Sequence, residues 1–393
     1  LLAAVAPAAG PDPVTEKRCF GAASRDPAKR CLDPSLRTTV YPTPAEAPLE
    51  PNAPCNPVGR TKLLYPCRFG VKTVASGSPE GAVALIGDSH ASHWRGAVEV
   101  VAERKGLPAI SMARSRCPFV AATVVLPSVD RTRCNGWKHE VRLYLIDHPE
   151  ISTVFISNRS SARFVPAAGK SNFETQVAGH IANWRALPGS VRHIVVIRDT
   201  PRGSASSALC VQRAYGVRRA SVGQLCARPR AQALHPDPAV VAARRLNSPR
   251  VRAIDLSSIF CDPRRCFPVI GGASVYKDVD HISTVFSRSL GPFVLRAYDA
   301  ILGETTGDET AGEHGPLDIL IADERAAAEC LLAERLAASQ AGGFQSVPPE
   351  NLERANACRA MLEQRAAEIE AAGLTGERNR KNRHALIVAV LDA

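Results

Sequence analysis

Short apolar runs recur through the middle of the chain, each followed by a stretch with helical spacing. Ala82-Val83-Ala84-Leu85-Ile86 ends in Gly87, the pattern of a strand buried on both faces. Behind it, Trp94, Ala97, Val98, Val101 and Ala102 fall three or four apart and mark one face of a helix. The runs at 109–112, 153–157, 193–197 and 251–256 predict further buried strands. Helical spacing appears near 136–148, 171–187, 237–247 and 284–302. Strands alternating with amphipathic helices imply βαβ units and a parallel sheet covered on both sides. The predicted fold is α/β, a flavodoxin-like doubly wound parallel sheet. In such sheets ligands bind beyond the carboxyl ends of the strands, so the motifs after strand ends carry the chemical information.

The pattern breaks at both ends. Residues 1–78 are rich in Pro and Ala without a sustained period and read as an irregular leader wrapping the domain at 79–302. Leu1 to Gly10 is apolar and small; it reads as the tail of a removed signal peptide or membrane helix, or as a trimmed start. Residues 303–315 are polar and acidic, a linker. Residues 316–393 form a small C-terminal helical module, its hairpin broken at Gly342-Gly343. No apolar run reaches the ~18 residues that a bilayer span needs.

Twelve cysteines are many for a reducing compartment, and none forms a metal-type C-x-x-C pair. Neighbours can close short loops: Cys19 with Cys31, Cys55 with Cys67, Cys117 with Cys134, Cys210 with Cys226, Cys261 with Cys266. An even number at such spacings suits disulfides made outside the cytoplasm; reduced buried thiols are the alternative. Cys330 and Cys358 flank the hairpin turn evenly and would face each other across it. The formal net charge is +11, mostly from arginine. It suits an anionic envelope partner, and equally an Arg-rich composition inherited from a GC-rich genome. Aromatic residues at 5% and scattered basic residues argue against nucleic acid.

Candidate chemistry sits at two places. Gly87-Asp88-Ser89-His90 lies between the first buried strand and its helix. A strand-to-helix turn exposes the Ser89 hydroxyl and sets it at a helix N-terminus, whose amides can stabilise an oxyanion. Serine needs a base to become a nucleophile. Tyr276 through Ser283, before the last helix, supplies Asp278 and His281 three residues apart. That spacing lets a carboxylate hold the imidazole Nδ1–H while Nε2 faces the serine. Asp280 competes for that role, and each motif taken alone also reads as a helix cap. His90 and His93 share a helix face, but no third ligand lies nearby in sequence, so no metal and no cofactor is expected.

Together these residues resemble the SGNH (GDSL-like) hydrolase superfamily. They look most like the extracytoplasmic SGNH domain of acyltransferase-three family O-acyltransferases. Carrying the resemblance are Ala84 through Trp94, Ser115-Arg116-Cys117-Pro118, Arg198-Asp199-Thr200-Pro201 and Tyr276 through Ser283, with Cys261, Cys266 and Val269 through Gly272. It covers roughly residues 15–302. It implies the SGNH hydrolase fold and a triad of Ser89, Asp278 and His281. Transfer of an acetyl or short acyl group to an envelope polysaccharide or glycolipid acceptor would follow. A membrane acyltransferase domain upstream would tether the protein and supply the acyl group. A secreted carbohydrate O-acetylesterase and a non-catalytic envelope-binding module are the competing readings.

The chain departs from the family's oxyanion hole. Ala113-Arg114-Ser115 follows the second strand where a glycine is usual. Asn158 follows the third strand but lacks the glycine of the G-x-N motif. The Ser89 amide and Asn158 remain as candidate donors, with the second glycine-type donor unassigned. His90, Arg114 and Arg198 are candidate substrate-lining residues.

Overall fold

The computed structural model describes residues 14–29, 31–71, 81–217 and 221–303. Its main sheet contains β1 (Asn56–Pro57), β2 (Cys67–Gly70), β3 (Ala82–Gly87), β4 (Pro108–Ala113), β5 (Ile151–Ser157), β6 (His193–Ile197) and β7 (Val251–Ile254). Their spatial order is β1-β2-β4-β3-β5-β6-β7. Strands β3 to β7 pair in parallel, whereas β1 and β2 extend one edge antiparallel. The longer helices are α1 (Ser89–Lys105), α2 (Ser128–Asp147), α3 (Asn172–Arg185), α4 (Ala205–Ala214), α5 (Pro238–Leu246) and α6 (Thr284–Leu302).

The central strand shows why a continuous apolar run is needed here. Every residue of β3 is buried, but alternate side chains enter different cores. Val83 and Leu85 pack with Trp94, Val98 and Val101 of α1 and Phe286, Leu290 and Val294 of α6. Ala84 and Ile86 pack with Trp137 and Val141 of α2, Val177 of α3 and Ala242 of α5. Phe155 and Val195 join the first core, Val154 and Val196 the second. Both faces of the sheet are therefore helix-covered, and the doubly wound α/β fold holds.

Three features exceed the sequence reading. Strand β2 pairs with β4 from Cys67↔Ser111 to Gly70↔Pro108, so part of the leader is sheet. Helix α2 begins at Ser128 rather than near 136, and α4 has no counterpart among the predicted helices. Disulfides join Cys19–Cys31, Cys55–Cys67, Cys117–Cys134, Cys210–Cys226 and Cys261–Cys266. The chain divides into two compact units, Leu1–Gly307 and Asp308–Ala393. The helical module expected at 316–393, with Cys330 and Cys358, lies outside the described residues. Among the described residues no helix is long and apolar enough to cross a membrane.

Leader segments are fastened to the domain by hydrogen bonds as well as packing. Gly21 N donates to Gly271 O at 3.0 Å, and Tyr41 N to Gly272 O at 2.8 Å. The Glu50 carboxylate accepts from Thr284 N at 2.6 Å and Val285 N at 3.1 Å, capping the first turn of α6. Lys277 reaches Asn52 Oδ1 at 2.7 Å.

Candidate active site

Strand β3 ends at Gly87, between Ala113 of β4 and Ser157 of β5. The backbone there has φ +154°, and a Cβ at this position would stand 1.9 Å from the Ser157 carbonyl oxygen. Only glycine fits, and it lets the chain turn at once into α1. Asp88 caps that helix: its Oδ1 accepts from His90 N at 2.9 Å, while Oδ2 accepts from Arg159 N at 3.0 Å. Asp88 thereby ties the turn after β3 to the loop after β5. Ser89 is the first residue of α1 and is partly exposed. A first-turn amide has no partner within its own helix, so the Ser89 N–H can serve a ligand.

The second motif arrives from the loop before α6. Asp278 Oδ2 lies 2.8 Å from His281 Nδ1, and Asp278 Oδ1 accepts from the amides of Asp280 and His281, both at 2.7 Å. Partial burial pushes the Asp278 carboxyl up, but these hydrogen bonds outweigh it and hold it down at about 2. Asp280 does not contact the imidazole; it pairs with Arg159 at 2.8 Å and with Arg202 at 3.0 Å. His281 Nε2 is buried with no hydrogen-bond partner. No hydrogen bond joins it to Ser89, a looseness common in ligand-free sites. The two motifs do meet on one edge of the sheet: the rings of His281 and His90, the residue after Ser89, are 5.2 Å apart between centroids.

Asn158 stands at the end of β5 and is buried. Its Oδ1 accepts from Phe119 N at 2.8 Å, which fixes the amide's orientation. Its Nδ2 is left buried without a partner. A buried, orphaned donor beside the Gly87–Ser89 turn suits an oxyanion hole, since an unmade hydrogen bond at such a place is costly. The Arg114 amide donates to Gly87 O at 3.0 Å and is not free for that task.

The residues expected to line the site each hold a partner of their own. His90 is only 2% exposed, and its Nδ1–H donates to Asp199 Oδ1 at 2.6 Å. Arg114 donates to Leu63 O at 3.3 Å. Arg198 pairs with Asp255 at 3.0 Å and donates to His235 O at 2.9 Å. The reason is common to all three: each sits close enough to a buried or backbone acceptor to satisfy it. Asp199 is the group the sequence reading left without a role. It also accepts from Ser160 N at 2.8 Å and Ser160 Oγ at 2.7 Å, and its own amide donates to Asp237 Oδ2 at 2.7 Å. Burial pushes His90 down, yet the adjoining Asp199 and Asp88 carboxylates overcome it and raise the imidazole to about 9. Burial beside Asp199 lifts Asp237 to about 6. An Asp directly after a strand-end Arg was the available signal, but nothing in the sequence showed that its partner was His90. A cavity beside the loop that carries Asp278 is lined by Pro44, Ala47, Val211, Tyr276 and Asp278; Ser89 does not line it. Among the described residues no cluster of three or more His, Cys, Asp or Glu is placed to hold a metal ion.

A search of curated proteins finds no match. Among solved structures, the lipopolysaccharide acetyltransferase periplasmic domain of Salmonella ser. Paratyphi A aligns with a TM-score of 0.40 and 13% identity, covering 56% of this chain and 85% of that one. The family model "SGNH domain (fused to AT3 domains)" matches residues 54–296, from just before β1 into α6 and spanning both motifs. The chain therefore belongs to the family of SGNH domains that are fused to AT3 domains.

Proposed function

We propose that this domain is an extracytoplasmic serine O-acyltransferase that moves an acetyl or other short acyl group to an envelope glycan. The observation that carries the reading is the Asp278–His281 pair, with Nε2 buried, unpartnered and on the edge of the sheet where Ser89 opens α1. Ser89 Oγ attacks the acyl carbonyl while His281 Nε2 takes its proton. Asp278 keeps the Nδ1–H tautomer and steadies the imidazolium. The Ser89 amide and Asn158 Nδ2 receive the oxyanion. Its collapse expels the donor's alcohol, which leaves with the proton from His281. A glycan hydroxyl then attacks the acyl-enzyme, His281 accepting its proton, and Ser89 is regenerated. Family membership supports the acyl chemistry. Five disulfides support an oxidising compartment. A membrane acyltransferase domain in the same protein is the proposed source of the acyl group.

Release of the acyl group to water is the second reading, favoured by the partial exposure of both Ser89 and His281. A fluorophosphonate probe tests the nucleophile. Labelling is expected on Ser89 and should vanish in Ser89→Ala; a protein that labels at no serine ends both enzymatic readings. With an activated acetyl ester and a glycan acceptor, acetylated glycan marks transfer, whereas free acetate alone marks an esterase.

A further inference from the structure

Arg159 is anchored at both ends of the candidate site. Its amide donates to Asp88 Oδ2, next to Ser89, and its guanidinium pairs with Asp280, next to His281. The side chain thus runs from the loop that flanks the nucleophile turn to the loop that carries the imidazole. Arg202, from the loop after β6, reaches the same carboxylate from another side, through Nε at 3.0 Å. Two fixed positive charges therefore share one negative charge. The exposures are unequal in an informative way: the Asp280 side chain is 14% exposed, Arg159 40% and Arg202 39%. The carboxylate is covered and the cations face solvent. Arg159 spends Nη2 on Asp280 and Nε on Ser161 Oγ, leaving Nη1 open. Arg202 commits only Nε, so both its terminal nitrogens remain available. Asp278, the other acid of the loop, is engaged by His281.

A guanidinium with a fixed Nε and open terminal nitrogens presents parallel N–H groups at the spacing of carboxylate or phosphate oxygens. We propose that Arg159 and Arg202, held by Asp280, form an anion subsite for a carboxylate or phosphate on a sugar ring bound beside Ser89 and His281. The subsite rests on the acyltransferase reading only for the statement that this sugar is the acceptor. Its chemistry narrows that acceptor to an acidic glycan: a uronate-containing or phosphorylated one. The two arginines act as binding residues and take no part in the proton transfers.

The test is calorimetric titration of the full 393-residue chain with glucuronate, glucose 1-phosphate and glucose at low ionic strength. Binding of one or both anionic sugars is expected, with glucose at least about tenfold weaker, because a charge-assisted bidentate pair adds that much. The stronger of the two anions identifies the group the acceptor carries. The double variant Arg159→Gln/Arg202→Gln should lose that preference, and Arg202→Lys, which keeps the charge, should retain part of it. Tryptophan fluorescence of the variants shows whether they fold. Equal affinity for glucose and the anionic sugars overturns the proposal, and so does an anion preference unchanged in a folded double variant. Neither readout needs the Ser89 hydroxyl, so failure here and failure of fluorophosphonate labelling are separate results.

Discussion

Replacing Asp199 by asparagine removes the carboxylate that keeps His90 charged inside the protein. A histidine titrates near 6.5 in the unfolded chain and at about 9 in the folded one. Its folded value is raised, so the pairing stabilises fully below about 6.5 and is lost as pH climbs through about 9. The shift is worth on the order of 3 kcal/mol for so buried an imidazole. In Asp199→Asn, burial and the neutral neighbour leave His90 uncharged, although Asp88 and Asp280 still lie close by. The variant should be destabilised by about 3–5 kcal/mol at pH 6.5, the cost of leaving half of a buried pair. The deficit should shrink towards pH 9, because only the wild type loses stability across that interval. Asp237, raised to about 6 partly by Asp199 itself, falls in the variant and affects the comparison only near the acid end of the window, while Lys138, lowered by burial to about 8, is common to both proteins and cancels in the difference. Urea unfolding followed by tryptophan fluorescence measures this cleanly. The three tryptophans of the chain, Trp94, Trp137 and Trp184, are all 1% exposed and lie in the sheet-bearing unit. Parallel stability curves for the two proteins between pH 6.5 and 9 would refute the assignment of a charged His90.

Two further outcomes follow from the same edge of the sheet. Asn158→Ala removes the orphaned Nδ2 donor and should lower kcat for ester turnover by about 10²–10³-fold with KM little changed; an unchanged kcat removes Asn158 from the oxyanion hole. Gly87→Ala puts a methyl group 1.9 Å from the Ser157 carbonyl oxygen and should cost about 3 kcal/mol or more, read as a lower urea midpoint. A wild-type midpoint would mean that β3 and β5 do not approach as closely as described.

The sheet was legible because burial on both faces favours apolar runs, and those of β3 to β6 stand out between polar segments, whereas β7, with Arg252 and Ala253 exposed, keeps only its two end residues buried. Helix α2 was half hidden. Its first turns carry Val129, 59% exposed, amid polar residues, so no apolar stripe marks them. Strand β2 was missed for a related reason: in Cys67-Arg68-Phe69-Gly70 only Phe69 is buried, which gives one inward residue rather than a period. The site divides along the same line. Ser89, Asp278 and His281 sit in contiguous motifs whose spacing speaks to their chemistry. The links from Asp199 to His90, from Asp88 to Arg159 and from Asp280 to two arginines join residues 71 to 121 positions apart in the chain only through the fold, and local pattern carries no trace of them. For His90 the periodicity gave the helix face correctly but not the buried acid waiting opposite.

The capping of α6 by Glu50 has a practical meaning for anyone cutting this protein into pieces. A fragment starting at Ala82 would keep every parallel strand and both chemical motifs, yet it would strip the carboxylate from the helix that follows His281. The lysine next to Asp278 would lose its asparagine as well. Expression boundaries, chimaeras and domain grafts should therefore carry the Pro-rich segment along, because the smallest competent unit begins well upstream of the first strand of the parallel sheet.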